Sequence, residues 1–231
     1  MGGKNAAVVL ADADLPDAAE QITRAAMLGT GQRCTATSRL YADRRIFDEL
    51  LELIVAAAAS LRVGDPYEDT TDMGPLSSRE QLGTVERYLE LARESGCTFR
   101  CGGGTADPGE GYFVDPTVLT DVPVGSPILR EEIFGPVLAA VPVDGAEEAL
   151  ALANESEFGL TASIFTRDTR AALAFAREAE VGMVSVNRET GGQEPQVPFG
   201  GVKGSSNLER EQGKAARRFF TTTKTVYVRP R

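Results

Sequence analysis

Cys34 is the residue in this 231-residue chain best placed by type and setting to do chemistry. It stands in the run Gly29-Thr30-Gly31-Gln32-Arg33-Cys34-Thr35, after a helical stretch and before a β-prone one. A loop cysteine near positive charge, here Arg33 and Arg39, is expected to have a lowered thiol pKa and to act as a nucleophile. A buried apolar cysteine is the competing reading, and local sequence leaves both open. The chain has no histidine. That removes Ser-His-Asp triads, His-activated cysteines and every His-ligated metal site. Cys97 and Cys101, four apart in a β-prone stretch, should share one face of a strand. Two sulfurs with no further ligand make a poor zinc site, so they read as packing residues and no metal site is expected.

Three further clusters are weak taken singly. In Glu131-Glu132-Ile133-Phe134-Gly135-Pro136 a carboxylate beside a rigid turn could accept from a ribose diol, or be an acidic helix end followed by a turn. In Pro198-Phe199-Gly200-Gly201-Val202-Lys203-Gly204-Ser205 paired glycines let backbone approach a ligand closely, or simply form a loop. Gly102-Gly103-Gly104 is no dinucleotide fingerprint, because the spacing is wrong and Asp107-Pro108 follows where a helix should open.

The elements that must position these residues alternate. Strands are expected at Ala7–Leu10, Ser38–Ala42, Cys97–Cys101, Thr117–Val122, Val137–Val143, Thr161–Phe165, Met183–Val186 and Thr225–Val228. Helices should start after Asp14, carrying Leu15, Ala18, Ile22, Ala25 and Ala26, and after Asp43, carrying Ile46, Leu50, Leu53, Ala57 and Leu61. Others cover Ser77–Glu94, Ala146–Asn154 and Asp168–Ala179, with a last one around Ala215–Phe219. Such alternation predicts an α/β fold, a largely parallel twisted sheet with flanking helices. With 24 Lys and Arg against 34 Asp and Glu, the net charge of −10 repels phosphate backbones and argues against nucleic acid as a partner. Three sparse cysteines suit a reducing, cytoplasmic setting. No apolar run approaches the ~20 residues needed to span a bilayer, so no membrane partner is expected. The first residues carry no basic leader before a long apolar core, and Met1-Gly2 is followed by Ala6 where a myristoylation signal needs Ser or Thr.

In order, the clusters form a set. With Gly2-Gly3-Lys4, Gly74-Pro75-Leu76, the Asp115-Pro116-Thr117 run and Asn187, they make the chain resemble the aldehyde dehydrogenase superfamily along nearly all its length. The resemblance implies the catalytic domain of that family over 1–222 and an oligomerisation strand over 223–231. It implies that Cys34 attacks an aldehyde carbon, that the thiohemiacetal passes hydride to NAD or NADP, and that water hydrolyses the resulting thioester. The backbone N–H of Cys34 would supply one oxyanion donor. Glu132 would hold the nicotinamide ribose and Phe134 would lie beside the nicotinamide. Arg33, Thr35, Asn187, Arg188 and Phe199 would line the substrate funnel.

The same resemblance puts the family's general base just before Met1, and a second oxyanion donor and the Rossmann-type cofactor domain in an N-terminal region this sequence lacks. A truncated catalytic fragment, inactive alone, is therefore expected. A non-catalytic assembly piece and a cofactor-independent thiol esterase are the alternatives. The runs Cys34 to Arg39, Gln196 to Phe199 and Arg210 to Gly213 are similar to the branch that oxidises 2-oxoglutarate semialdehyde and related semialdehydes. The expected partners are a small aldehyde and a second copy of the chain.

Overall fold

The computed structural model describes residues 2–106, 110–207 and 209–231; the readings made on Met1 and on Asp107-Pro108 lie outside them. The expected strand–helix alternation is present. β1 (Asn5–Val9) leads to α1 (Leu15–Met27), β2 (Thr37–Asp43), α2 (Phe47–Ala59), α3 (Arg79–Glu94), β3 (Thr98–Cys101) and β4 (Thr117–Thr120). The short helix α4 (Pro127–Arg130) precedes β5 (Val137–Val143), α5 (Ala146–Asn154), β6 (Phe158–Gly159), β7 (Thr161–Phe165), α6 (Thr169–Glu178), β8 (Met183–Val186), β9 (Val202–Lys203) and α7 (Ala216–Phe219).

Seven strands form one sheet in the order β3-β4-β5-β2-β1-β7-β8. All neighbours run parallel except the edge strand β3, which is antiparallel to β4. Strands buried on both faces read as continuous apolar runs, and all five residues of β1 and of β7 are buried. Alternate side chains feed opposite layers. Ala7, Val9, Leu40, Ala42 and Leu138 pack with Ile22, Met27, Leu50 and Ile54 of α1 and α2. On the other face Ala6, Val8, Tyr41 and Ile164 meet Ala149 of α5 and Phe175 of α6, while Leu119 and Ala139 meet Val85 and Leu89 of α3. No helix among the described residues is long and apolar enough to cross a membrane.

Asp14 and Asp168 cap α1 and α6 through their side chains, as their sequence positions suggest. Asp43 does not cap α2. It ends β2, and its carboxylate accepts from Arg45 N at 3.0 Å and Arg45 Nη2 at 2.8 Å. The two strand cysteines do not share a face. A register shift between Phe99 and Cys101 bulges β3, so Cys97 packs in the α3 layer and Cys101 against the α1–α2 layer. The run Thr225–Val228 pairs with no strand among the described residues, and Val226, Tyr227 and Val228 are 69%, 94% and 82% exposed.

Parallel pairing fixes where the motifs go. Gly2-Gly3, the Cys34 loop, the Glu132 turn and Leu160 each immediately precede one of the four adjacent central strands β1, β2, β5 and β7. Adjacent parallel strands begin at the same edge, so segments 129 and 156 residues apart meet there. Gly31 makes one of the closest approaches. Its φ is +64°, and a Cβ there would overlap the carbonyl of Gly135. We expect Gly31→Ala to destabilise the chain by about 2 kcal/mol or more, since left-handed strain and a backbone clash add. Urea unfolding checks this.

Candidate active site at the amino edge of the sheet

Cys34 is half-buried and its thiol is free. A short 3-10 turn, Leu28–Gly31, carries the chain from α1 into the cysteine loop. Three consecutive carbonyls of that loop are held by buried side chains. Asn5 Nδ2 donates to Cys34 O at 2.9 Å and to Ala36 O at 2.8 Å, and Thr190 Oγ1 donates to Thr35 O at 2.7 Å. The Oδ1 of Asn5 accepts from Thr161 N at 3.3 Å, which ties the loop to β7. A Cβ at Gly3 would overlap the Cys34 carbonyl, so only glycine lets β1 enter the sheet against this loop.

The thiol is not activated as the flanking arginines suggest. Burial pushes its pKa above the ordinary cysteine value and the Glu132 carboxylate adds to this, while the N–H groups of Cys34 and Thr35 face the sulfur and pull it back. Arg33 points elsewhere: its Nη2 donates to Arg24 O at 3.1 Å and Ala25 O at 3.0 Å, on the last turn of α1. Arg39 is buried and donates to Lys4 O, Leu152 O and Ala153 O at 2.9–3.0 Å. Cys97 and Cys101 thiols are also raised, chiefly by burial.

Glu132 does reach this end. Its Oε1 accepts from Gly3 N at 2.8 Å. Neighbouring Glu131 turns the other way and takes a very short hydrogen bond from Tyr88 Oη of α3. Phe134 is 37% exposed with φ 57°, and Gln81 Nε2 donates to the carbonyls of Ile133 and Phe134 at 2.8 and 3.0 Å, which fixes the turn. Glu131 and Glu132 line an open cleft with Arg130, Glu155, Glu157 and Phe158.

The other expected site residues fall in different places. Thr35 is buried in the cysteine loop under Thr190. Asn187 follows β8 at the opposite, carboxyl edge, where it exchanges hydrogen bonds with Thr166 N and O at 2.9 and 3.0 Å. Arg188 donates to Gly192 O at 2.6 Å and lies 3.5 Å from Glu194. Phe199 is half-buried and bridges to Glu211 through two backbone hydrogen bonds of 2.6 and 2.8 Å. Its segment reaches the amino edge through Ser205, whose Oγ donates to Gly2 O at 2.7 Å. Asn5 and Thr190 carry no signal in the sequence, since a polar residue opening a strand and one in a Gly-rich loop are both commonplace. Among the described residues no group of His, Cys, Asp or Glu could hold a metal ion.

The order and spacing of these segments match a known profile across residues 1–226, that of the aldehyde dehydrogenase family. The chain belongs to that family. It is 43% identical over 233 residues to the alpha-ketoglutaric semialdehyde dehydrogenase of Bacillus subtilis, covering 100% of this chain and 48% of that protein. It is also 43% identical over 232 residues to the alpha-ketoglutarate semialdehyde dehydrogenase of Haloferax volcanii, covering 98% of this chain and 48% of that one. An aldehyde dehydrogenase of Bacillus cereus solved as its NAD+ complex superposes with a TM-score of 0.93 at 36% identity, over 98% of this chain and 46% of that one. The Mycobacterium tuberculosis aldehyde dehydrogenase complexed with NAD+ gives 0.91 at 36% identity, over 96% and 46%. This aldehyde dehydrogenase chain therefore spans about half the length of the relatives it matches.

One feature of this end was invisible in the sequence. Lys4 is 2% exposed, and its Nζ has no hydrogen-bond partner among the described residues. Burial, then the neighbouring Arg39 charge, lowers its pKa from 10.5 to about 7, against an opposing pull from Glu132 and Glu131. The unfolded chain thus holds more protons than the folded one between pH 7 and 10.5, and Lys4 makes stability rise with pH across that window. Lys4→Met should stabilise the chain at pH 7 by an amount on the order of a few kcal/mol, and the advantage should shrink toward pH 10. Urea midpoints of parent and variant across that range check it.

Proposed function

We propose that the chain carries the nucleophile and part of the cofactor site of an NAD(P)-dependent dehydrogenase that oxidises an aldehyde to a carboxylic acid through Cys34. The observation that carries this reading is the meeting of the Cys34 thiol, its two facing N–H groups and the Glu132 carboxylate at one edge of the sheet. The Cys34 sulfur attacks the aldehyde carbon and a thiohemiacetal forms. The backbone N–H of Cys34 is the proposed donor to the developing oxyanion. Loss of a hydride, together with the hydroxyl proton to water, converts that adduct to a thioester, which water cleaves to the acid and the free thiol. Burial and Glu132 disfavour the thiolate in the resting site.

The residues present fit a nicotinamide dinucleotide at one end only. Glu132 holds Gly3 N with Oε1, which leaves Oε2 for a ribose diol, and Phe134 offers an exposed ring beside it. The carboxylates of the surrounding cleft suit a diol and repel a diphosphate. When bound, the dinucleotide supplies the hydride acceptor. A semialdehyde is the proposed substrate class, supported by the two semialdehyde dehydrogenases above and by a probable succinate-semialdehyde dehydrogenase 38% identical over 228 residues. Limited iodoacetamide treatment with peptide mapping should modify Cys34 ahead of Cys97 and Cys101. Succinic semialdehyde should slow modification of Cys34 alone, by occupying the thiol reversibly. Preferential labelling of Cys97 or Cys101 would sink the reading. The 231-residue chain by itself should give no steady NAD(P)H production.

A second copy of the chain is the proposed partner of the C-terminal run. Thr225 to Val228 is β-prone, exposed and unpaired here, and such a segment recruits a strand from elsewhere. A two-fold homodimer is expected, because identical chains most often pair through one self-complementary patch. Deleting residues 223–231 should shift sedimentation from dimer toward monomer. A full chain that is monomeric at high micromolar concentration overturns the expectation.

A further inference from the structure

Asn5 is 2% exposed and sits where three strands begin. Its side-chain amide has two N–H donors and one acceptor in use, on Cys34 O, Ala36 O and Thr161 N. Flipping the amide would set Oδ1 against two carbonyls, so its orientation is fixed. A trans peptide holds its C=O and N–H in opposite directions in one plane. The unit whose carbonyl Asn5 grips is the one that joins Cys34 to Thr35. Pulling Cys34 O toward β1 therefore turns Thr35 N–H away from β1, and that N–H is one of the two backbone donors to the sulfur.

We propose that Asn5 is a positioning residue for the nucleophile: by anchoring the Cys34 carbonyl it aims the Thr35 N–H at the Cys34 sulfur. A donor so aimed bonds a charged sulfur better than a neutral one. This rests on the reading of Cys34 as the reactive thiol. Thr190 offers an internal comparison. It grips the next carbonyl, Thr35 O, with the same chemistry and the same burial. The N–H of that peptide belongs to Ala36 and is already bonded to Arg33 O at 2.9 Å, so it has no part in facing the sulfur. Two buried donors thus hold one loop, and only one of them sets a group that touches the nucleophile.

The test is the pH dependence of iodoacetamide alkylation at Cys34, followed by peptide mapping on the 231-residue chain and its variants, with thermal unfolding measured in parallel. Asn5→Ala should raise the midpoint of the alkylation profile by about one pH unit and lower the rate at pH 7 about tenfold, the conversion that one pKa unit implies. Thr190→Val should lower thermal stability and leave the midpoint in place. Asn5→Ser, which keeps one donor and little bulk, should fall between parent and Asn5→Ala, and it carries the test if Asn5→Ala does not accumulate folded. Equal midpoints in parent and Asn5 variants would overturn the proposal, and so would equal shifts in the Asn5 and Thr190 variants, which would mean loop loosening alone. A parent chain in which Cys34 resists alkylation while Cys97 or Cys101 reacts would overturn the nucleophile reading itself. Alkylation of Cys34 with an unshifted profile overturns only the role of Asn5.

Discussion

The backbone of Gly2 and Gly3 is where three distant segments of this chain are fastened. Gly3 N donates to Glu132, Gly2 O accepts from Ser205, and the missing Cβ of Gly3 admits the Cys34 carbonyl. Each contact uses a main-chain group or an absent side chain, so none can be replaced by repacking. The parallel ladder from β5 through β2 and β1 to β7 supplies the rest of the constraint. It sets the starts of four strands side by side and leaves the connecting loops no other place to meet.

Electrostatics at this edge are set by burial more than by formal charge. Three ionisable groups crowd around the Gly3 backbone: the Cys34 thiol, the Glu132 carboxylate and the Lys4 amine. Glu132 accepts a backbone hydrogen bond from Gly3. The two groups with less hydrogen bonding shift toward their neutral forms, Cys34 upward and Lys4 downward. The neighbouring Glu131 is bonded by Tyr88, while Glu132 is bonded by Gly3 N. Two adjacent glutamates of one cleft thus acquire different partners, in a turn whose following carbonyls, those of Ile133 and Phe134, are held by Gln81.

Much of this was legible in the residues. The expected spans of β5, α5, β7 and β8 agree with the structure at both ends, because apolar runs bounded by Gly, Asp and Asn leave little freedom over where a strand or helix stops. Local rules failed where a third element decided. Asp43 looks like a helix cap, yet Arg45 claims its carboxylate at the strand end. Cys97 and Cys101 look like one face, yet a single bulge separates them. Arg33 and Arg39 look like neighbours of the thiol in sequence. Their long side chains end on helix carbonyls well away from it, and no sequence spacing reports where a guanidinium ends. Asn5 and Thr190 were silent for a related reason: their partners lie 29 to 156 positions away.

The placement of the site also constrains how its thiol can be activated. In open α/β sheets ligands usually bind outside the carboxyl ends of the strands, where the following helices begin and their positive dipole ends favour anions and thiolates. Here the candidate nucleophile lies at the amino edge. The helix leading into it, α1, ends there, and its terminal carbonyls point toward the same edge. A helix C-terminus disfavours negative charge, so the dipole works against a thiolate. Arg33 offsets part of this, since its guanidinium is bonded to the carbonyls of Arg24 and Ala25 and neutralises that end of α1. What remains for the sulfur is local: two backbone N–H groups and the side chains that orient them. A site built at this edge must rely on the fixed geometry of a few peptide units, and that is why buried hydrogen bonds to the three consecutive carbonyls of Cys34, Thr35 and Ala36 stand where a helix terminus would otherwise suffice.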